Sequence, residues 1–140
     1  MEDIIFVHRR SNHAFEFLNA QMGTPALWKT CLRQWLFLTE EDLSNVILTE
    51  QDEVLSLTNG LCLLTEVLCG LHSPVVGETE VFGQFRRFVE DQKRIANPLF
   101  ENAKWCDHLY TSVKKLRAER IQGLGSHSYG SLLRKYCRDL

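Results

Sequence analysis

Several features that would assign the chain to a special class are missing from its 140 residues. No apolar run is long enough to span a membrane, and the start, Met1–Asp3, is acidic, unlike a secretory signal. Five cysteines form no CxxC pairs, which disfavours both a disulfide framework and a structural zinc site. No G-x-G-x-x-G dinucleotide fingerprint, repeat or low-complexity segment occurs. These absences predict a cytoplasmic protein without a metal centre, of ordinary globular composition.

Charge is distributed unevenly along the chain. Residues 1–85 hold 4 Lys and Arg against 12 Asp and Glu, whereas residues 86–140 hold 12 against 6. The basic residues include a cluster at the end of a predicted helix: Lys114, Lys115, Arg117 and Arg120. Two interpretations stay open, namely a surface that contacts an anion such as an RNA backbone, or the solvated faces of amphipathic helices.

Hydrophobic periodicity predicts an α+β fold, with a small, mainly antiparallel sheet of about four strands and two helices, followed by a helical bundle. Strands are expected at 4–7, 26–28, 35–38 and 53–57, and helices near 12–21, 58–71, 78–95 and 98–122, with a short helix followed by a loop within 39–51. This pattern divides the chain into a sheet-containing subdomain at 4–57, a helical subdomain at 58–121 and the start of a linker helix at 126–140.

Two stretches carry polar groups that packing alone would not require. In residues 70–84, Ser73, Glu78 and Gln84 accompany glycines around a helix start, an arrangement that suits either a small polar ligand or a simple helix entry. The second stretch places Cys31 in a polar turn between two cations, Lys29 and Arg33. Positive charge favours a thiolate nucleophile, although a cysteine in such a turn can equally be inert.

The other cysteines in apolar helical patterns are expected to be small core residues: Cys62, Cys69 and Cys106.

Both stretches resemble glutamyl-tRNA reductase, the enzyme that begins tetrapyrrole synthesis from glutamate. Residues 70–84 match its G-L-x-S-x-x-x-G-E-x-x-x-x-G-Q signature, and Thr30, Cys31 and Arg33 match its S-T-C-N-R sequence. His8 is similar to an early histidine of the family, and 113–121 resembles its A-K-x-V-R-x-E-T-x-I helix end. The resemblance covers about residues 4–137 and corresponds to the N-terminal catalytic domain.

The resemblance implies that Cys31 attacks the ester of glutamyl-tRNA(Glu), forms a thioester and releases the RNA. Reduction by NADPH then gives glutamate-1-semialdehyde for porphyrin and haem synthesis, which makes the family an NADP-dependent oxidoreductase. Residues that would hold the glutamyl group are Thr30, Arg33, Ser73, Glu78 and Gln84. The implied partners are tRNA, contacted by the basic cluster, a separate or downstream NADPH-binding domain, and the next enzyme of the pathway; no membrane is implied.

The sequence departs from the family at several positions. Lys29 and Leu32 replace the serine and asparagine of the family motif, Trp35 replaces an acidic residue, and Leu63 stands where this register places the active-site histidine. Proton transfer would then fall to His8 or His72. The NADPH-binding and dimerisation domains are absent, so no cofactor is expected on these residues. Two alternatives therefore stay open: a non-catalytic module that recognises tRNA, a tetrapyrrole or a protein partner, and a thiol hydrolase of small esters.

Overall fold

A computed structural model of the chain describes residues 4–19, 25–74 and 79–120, with the side chain of Arg120 excepted. It contains six strands and four helices within these ranges. The strands are β1 (Ile4–Arg9), β2 (Glu16–Phe17), β3 (Ala26–Lys29), β4 (Gln34–Thr39), β5 (Val46–Ile47) and β6 (Asp52–Leu55); the helices are α1 (Glu40–Leu43), α2 (Leu57–Leu68), α3 (Glu80–Arg94) and α4 (Lys104–Arg120).

The chain divides into two compact units. The first comprises Met1–Leu61 with Gln92–Glu101, and the second comprises Cys62–Asp91 with Asn102–Leu140. The first unit holds a four-stranded sheet with the order β3-β4-β1-β6 and a small second sheet of β2 and β5, and every pairing is antiparallel. The predicted α+β class with a mainly antiparallel four-stranded sheet is confirmed.

Both faces of the sheet are covered because β1 and β4 are apolar almost throughout. On one face, Val7 and Leu36 pack with Phe15 and Val46. On the other, the ring of Phe6 contacts Trp35 and Phe37 edge to face, and Phe37 in turn meets Phe100 with ring centroids 5.6 Å apart. Successive side chains of a strand alternate between these two cores, as the pleat requires.

An ion pair between neighbouring strands lies within the first of these faces. Arg9 donates from Nε and Nη2 to the two carboxylate oxygens of Asp52, at 2.5 and 2.6 Å, and both side chains are almost fully buried. Arg9 Nη1 also donates to the carbonyls of His13 and Ala14. Burial alone would raise the pKa of Asp52, but hydrogen bonds from Arg9 and Thr49 hold it below its ordinary value. A buried pair whose polar groups are satisfied in this way depends on both partners.

The same contacts overturn the helix predicted at 12–21. Because Arg9 binds the carbonyls of His13 and Ala14, and Gln34 binds those of Ser11 and His13, these groups are not available to a helical ladder. Residues 16–17 form β2 instead, and residues 20–21 lie outside the described part of the chain.

The helix expected directly after Pro98 also begins later. Asn97 accepts hydrogen bonds from the backbone of Leu99 at its side chain and from Phe100 and Glu101 at its carbonyl, so the chain makes a separate turn there. Asn102 has a left-handed backbone with φ 49°, and α4 starts at Lys104. The predicted break at 123–125 and the helix at 126–140 lie outside the described residues.

Removing one partner of the buried pair should destabilise the first unit strongly. We expect Asp52→Asn to lower the free energy of unfolding by about 3–5 kcal/mol, because the guanidinium of Arg9 would stay buried without a counter-charge. Urea denaturation measures the change, with Glu50→Gln, exposed in the turn before β6, as the control, expected within about 0.5 kcal/mol of wild type. Equal stability of the two variants would contradict the structural role of the pair.

Two helical glycines should respond in opposite ways to the same substitution. A Cβ at Gly60 would overlap the buried ring of Phe6, so Gly60→Ala should cost about 1–3 kcal/mol of stability. A Cβ at Gly83 would meet only Arg87 Nη1, at 3.8 Å, so Gly83→Ala should add about 0.5–1 kcal/mol through helix propensity. Thermal denaturation distinguishes them, and a Gly60→Ala protein as stable as wild type would show that the sheet and α2 do not pack as described.

Candidate active site

The turn between β3 and β4 presents Cys31 to solvent. Thr30 closes this turn, since its backbone N–H donates to the carbonyl of Arg33 at 2.9 Å and its hydroxyl oxygen accepts from the N–H groups of Leu32 and Arg33 at 3.3 and 3.2 Å. The Thr30 hydroxyl also donates to the Arg33 carbonyl at 3.3 Å. The threonine that the resemblance assigns to substrate therefore shapes the loop that carries the thiol.

Arg33 differs sharply from its exposed neighbours because its side chain is buried, with the residue only 8% exposed. Burial and the charge of Arg10 lower the pKa of its guanidinium, while Cys31 and Glu53 oppose that shift. A buried guanidinium at this place suits bidentate binding of a carboxylate.

His8 lies on the same face of the sheet as Arg33. It is opposite Trp35 in the register of β1 and β4, and its ring contacts the Trp35 ring with centroids 4.5 Å apart and the planes tilted by 34°. Arg33 precedes Trp35 by two residues, which places it on the same face of an extended strand. His8 has no exposed surface, and its Nδ1 lies 3.4 Å from Glu53 Oε1 on β6. Its other nitrogen, Nε2, is buried and has no hydrogen-bond partner in the part of the chain that is described.

The environment of His8 favours its neutral form. Burial is the largest cause that lowers its pKa, the charge of Arg33 is the next, and Arg10 adds to it, whereas Glu53 acts in the opposite direction. A carboxylate can only accept a hydrogen bond, so the neutral ring that faces Glu53 carries its hydrogen on Nδ1. Nε2 is then left with a lone pair, as a proton acceptor requires.

Glu53 was missed by the sequence analysis, which treated it only as a residue of a predicted strand. No local spacing links it to His8, since the two are 45 residues apart and meet only through the pairing of β1 with β6. Period-two alternation could have placed Glu53 on one face of its strand, but the order of the strands was needed to find the partner.

The predicted residues of the second unit form a separate group. Ser73 is half-buried, with its backbone N–H donating to the Gly70 carbonyl at 3.3 Å, and Gln84 is exposed on α3. The His72 ring lies 2.6 Å from the Glu66 carboxylate. Glu78 lies outside the described residues. That these groups share a cleft with Cys31 stays a prediction.

The basic cluster on α4 is not uniform. Lys114 and Lys115 are exposed, whereas Arg117 is half-buried and donates from Nη2 to the Leu68 carbonyl at 3.1 Å. The side chain of Arg120 lies outside the described part. Arg117 therefore joins α4 to the end of α2, and among the three members whose side chains are described, the two lysines face solvent.

The remaining cysteines follow the sequence analysis in part. Cys69 and Cys106 are buried as expected, and burial raises the pKa of the Cys69 thiol, which the charge of Arg117 opposes. Cys62 is exposed, so its assignment to the core was wrong. Between residues 4 and 120, gaps excepted, no three His, Cys, Asp or Glu side chains are grouped so as to hold a metal, and none of the helices there is both long and apolar enough to cross a membrane.

The neutral state of His8 should make stability depend on pH. Because the folded protein holds the pKa of His8 below the ordinary value of 6.5, the unfolded chain binds protons more readily, and stability should fall as the pH drops below about 6.5. The slope attributable to one such group cannot exceed about 1.4 kcal/mol per pH unit. Urea denaturation between pH 8 and pH 5 tests this, with His8→Gln expected to flatten the profile; an unchanged slope in that variant would refute the assignment.

Comparisons with protein-family models, with curated proteins and with solved structures gave no match for this chain. The likeness to glutamyl-tRNA reductase therefore rests on the motif residues quoted above, and the chemistry available to the chain rests on the groups around the Cys31 turn.

Proposed function

We propose that the chain is a glutamyl-tRNA reductase-like catalytic domain that uses Cys31 to take the glutamyl group from glutamyl-tRNA(Glu) as a thioester. The observation that supports this most directly is the exposed thiol of Cys31 on a turn shaped by Thr30, with the buried Arg33 two residues further along the chain. A nucleophile and a carboxylate-binding group are thereby brought together within three residues of sequence.

In the proposed reaction, the Cys31 sulfur bonds to the ester carbonyl carbon, and the bond from that carbon to the ribose oxygen breaks. The proton of the thiol ends on the released ribose hydroxyl, so atoms and charges balance. His8, in the first unit, is one proposed proton carrier, because its Nε2 has no hydrogen-bond partner within the described residues. His72, in the second unit, remains the other proposed proton carrier, since Leu63 cannot perform that role.

The remaining parts of the proposal rest on sequence. Arg33 would bind a carboxylate of the glutamyl group, Ser73, Glu78 and Gln84 would bind its other polar atoms, and Lys114 with Lys115 would contact RNA phosphates. The two exposed lysines favour this last assignment over Arg117, which is engaged with the Leu68 carbonyl.

The described residues do not fit NADPH. All strand pairings are antiparallel, so the strand–helix–strand unit that presents a helix N-terminus to a dinucleotide does not occur among them. We therefore assign to this chain the thioester step, and hydride transfer to glutamate-1-semialdehyde to a separate or downstream NADPH-binding domain, which would be a partner in the pathway of tetrapyrrole synthesis.

Transfer of label from tRNA to protein tests the proposal. With glutamyl-tRNA carrying radiolabelled glutamate, the wild-type chain should acquire acid-stable, hydroxylamine-sensitive label, and Cys31→Ser should lose the thioester. Cys62→Ser is the matched control, because Cys62 is also exposed but belongs to α2 and to none of the quoted motifs.

A wild-type chain that never acquires label would contradict the enzymatic proposal. If glutamyl-tRNA still bound to that protein and to Cys31→Ala with equal affinity, the chain would be a binding module. Reaction of the chain with free glutamyl esters in the absence of tRNA would identify a thiol hydrolase instead.

A further inference from the structure

Strand β6 is an open edge of the four-stranded sheet. It pairs with β1 on one side, and no strand of the described residues pairs with it on the other. The backbone N–H of Asp52 donates to the Thr49 carbonyl at 3.1 Å, so it points away from β1. Because successive residues of a strand direct their backbone groups to opposite sides, the N–H and C=O of Val54 also point away from β1.

The register of the sheet gives the same orientation independently. The hydrogen bond that closes the turn between β3 and β4 directs the backbone groups of Arg33 toward β3. Alternation then directs Gln34 toward β1, and its partner Arg9 toward β4. The preceding residue of β1 therefore faces β6, where it pairs with Glu53. The backbone groups of Glu53 are used within the sheet, and those of Val54 lie on the open edge.

The side chains of this edge are accessible. Val54 is 43% exposed, and 49% of the Glu53 side chain is accessible. The two lie on opposite faces of the sheet because neighbours in a strand alternate. The other edge strand, β3, is more enclosed, since Ala26 and Trp28 are only 2% and 4% exposed. Within the described residues, β6 is therefore the edge that an extended chain can reach.

The charge of this edge is negative. Residues 34–85 contain no Lys or Arg. Asp52 is paired within the sheet, which leaves the exposed Glu50, in the turn before β6, and Glu53 as the accessible carboxylates. Glu53 interacts with the buried Arg33, but half of its side chain stays accessible. A second copy would bring the same carboxylates to the edge, so like charges oppose self-pairing and favour a strand that carries cations.

We propose that β6 binds an extended, basic segment of a partner protein, which adds to the sheet as an antiparallel strand. The main-chain N–H and C=O of Val54 hold the segment, an apolar side chain of the partner packs beside Val54, and Lys or Arg lies beside Glu53 and Glu50. This binding is separate from the thioester chemistry and does not depend on it.

A capped peptide of three Lys-Val repeats is the probe, and three Glu-Val repeats are its charge control. In an antiparallel pair, the peptide residue opposite Val54 exchanges both hydrogen bonds with it and lies on the same face of the sheet. The valines of the probe therefore direct their N–H groups at β6, and the lysines direct theirs to solvent. N-methylation of the valines removes the donors that β6 needs, whereas N-methylation of the lysines leaves them in place.

NMR titration of the 140-residue chain measures binding, and hydrogen exchange reports on single amides. We expect the unmodified and lysine-methylated peptides to bind alike, the valine-methylated peptide to bind at least about tenfold more weakly, and the Glu-Val peptide not to bind. The Val54 amide should gain protection from exchange, whereas the Glu53 amide, which already faces β1, should change little.

Variants of the chain test the contacts on each face. Val54→Lys places a cation at the centre of the edge and should weaken binding of the Lys-Val peptide at least about tenfold. Leu18→Lys makes the same change at a residue that is 71% exposed and follows β2, so its affinity should stay within about twofold of wild type. Glu50→Gln combined with Glu53→Gln should weaken binding about fivefold, as two exposed ion pairs are lost.

The inference is overturned if the Lys-Val peptide does not bind, if the valine-methylated peptide binds as tightly as the lysine-methylated one, or if the Val54 amide gains no protection. Self-association in sedimentation, with the Val54 amide protected in the absence of peptide, would show that a second copy occupies the edge and would also overturn it. Formation or absence of the Cys31 thioester bears on the proposed function alone.

Discussion

The pairing of β1 with β6 is the interaction on which the first unit depends. Two consecutive residues of β1, His8 and Arg9, lie opposite two consecutive acidic residues of β6, Glu53 and Asp52. Because side chains alternate across a strand, the two acid–base pairs fall on opposite faces of the same sheet. One register thus places two acid–base pairs on opposite faces: Arg9 with Asp52, whose polar groups are hydrogen-bonded, and His8 with Glu53, in which one ring nitrogen has no partner among the described residues.

The two pairs differ in how completely their polar atoms are used. Asp52 receives both arms of the Arg9 guanidinium and two further hydrogen bonds from Thr49, which leaves a pair that stabilises the fold. His8 makes a single, longer contact with Glu53 and keeps Nε2 without a partner in the described residues. A buried polar atom left unsatisfied costs free energy, so Nε2 is the atom of this pair that is available to a further hydrogen-bond partner.

The sheet could be predicted from the sequence because its central strands are apolar runs bounded by polar turns. Cys31 could be singled out because Lys29 and Arg33 are its close neighbours in the sequence. Side-chain contacts between residues far apart in the sequence could not be predicted. Arg9 and Gln34 take the carbonyls that the helix expected at 12–21 would have used, and Glu53 meets His8 only because β6 pairs with β1. Thr30 matched a family motif, yet its hydroxyl binds the backbone of its own turn.

The central claim, that Glu53 holds a neutral His8 with Nε2 as the acceptor, has a direct measurement. The ¹⁵N chemical shifts of the two ring nitrogens in the unliganded protein at pH 7.5 report which one carries the hydrogen. The account predicts a protonated Nδ1 and an unprotonated Nε2, with the distinction weakened in Glu53→Gln. A ring that carries its hydrogen on Nε2 would contradict it.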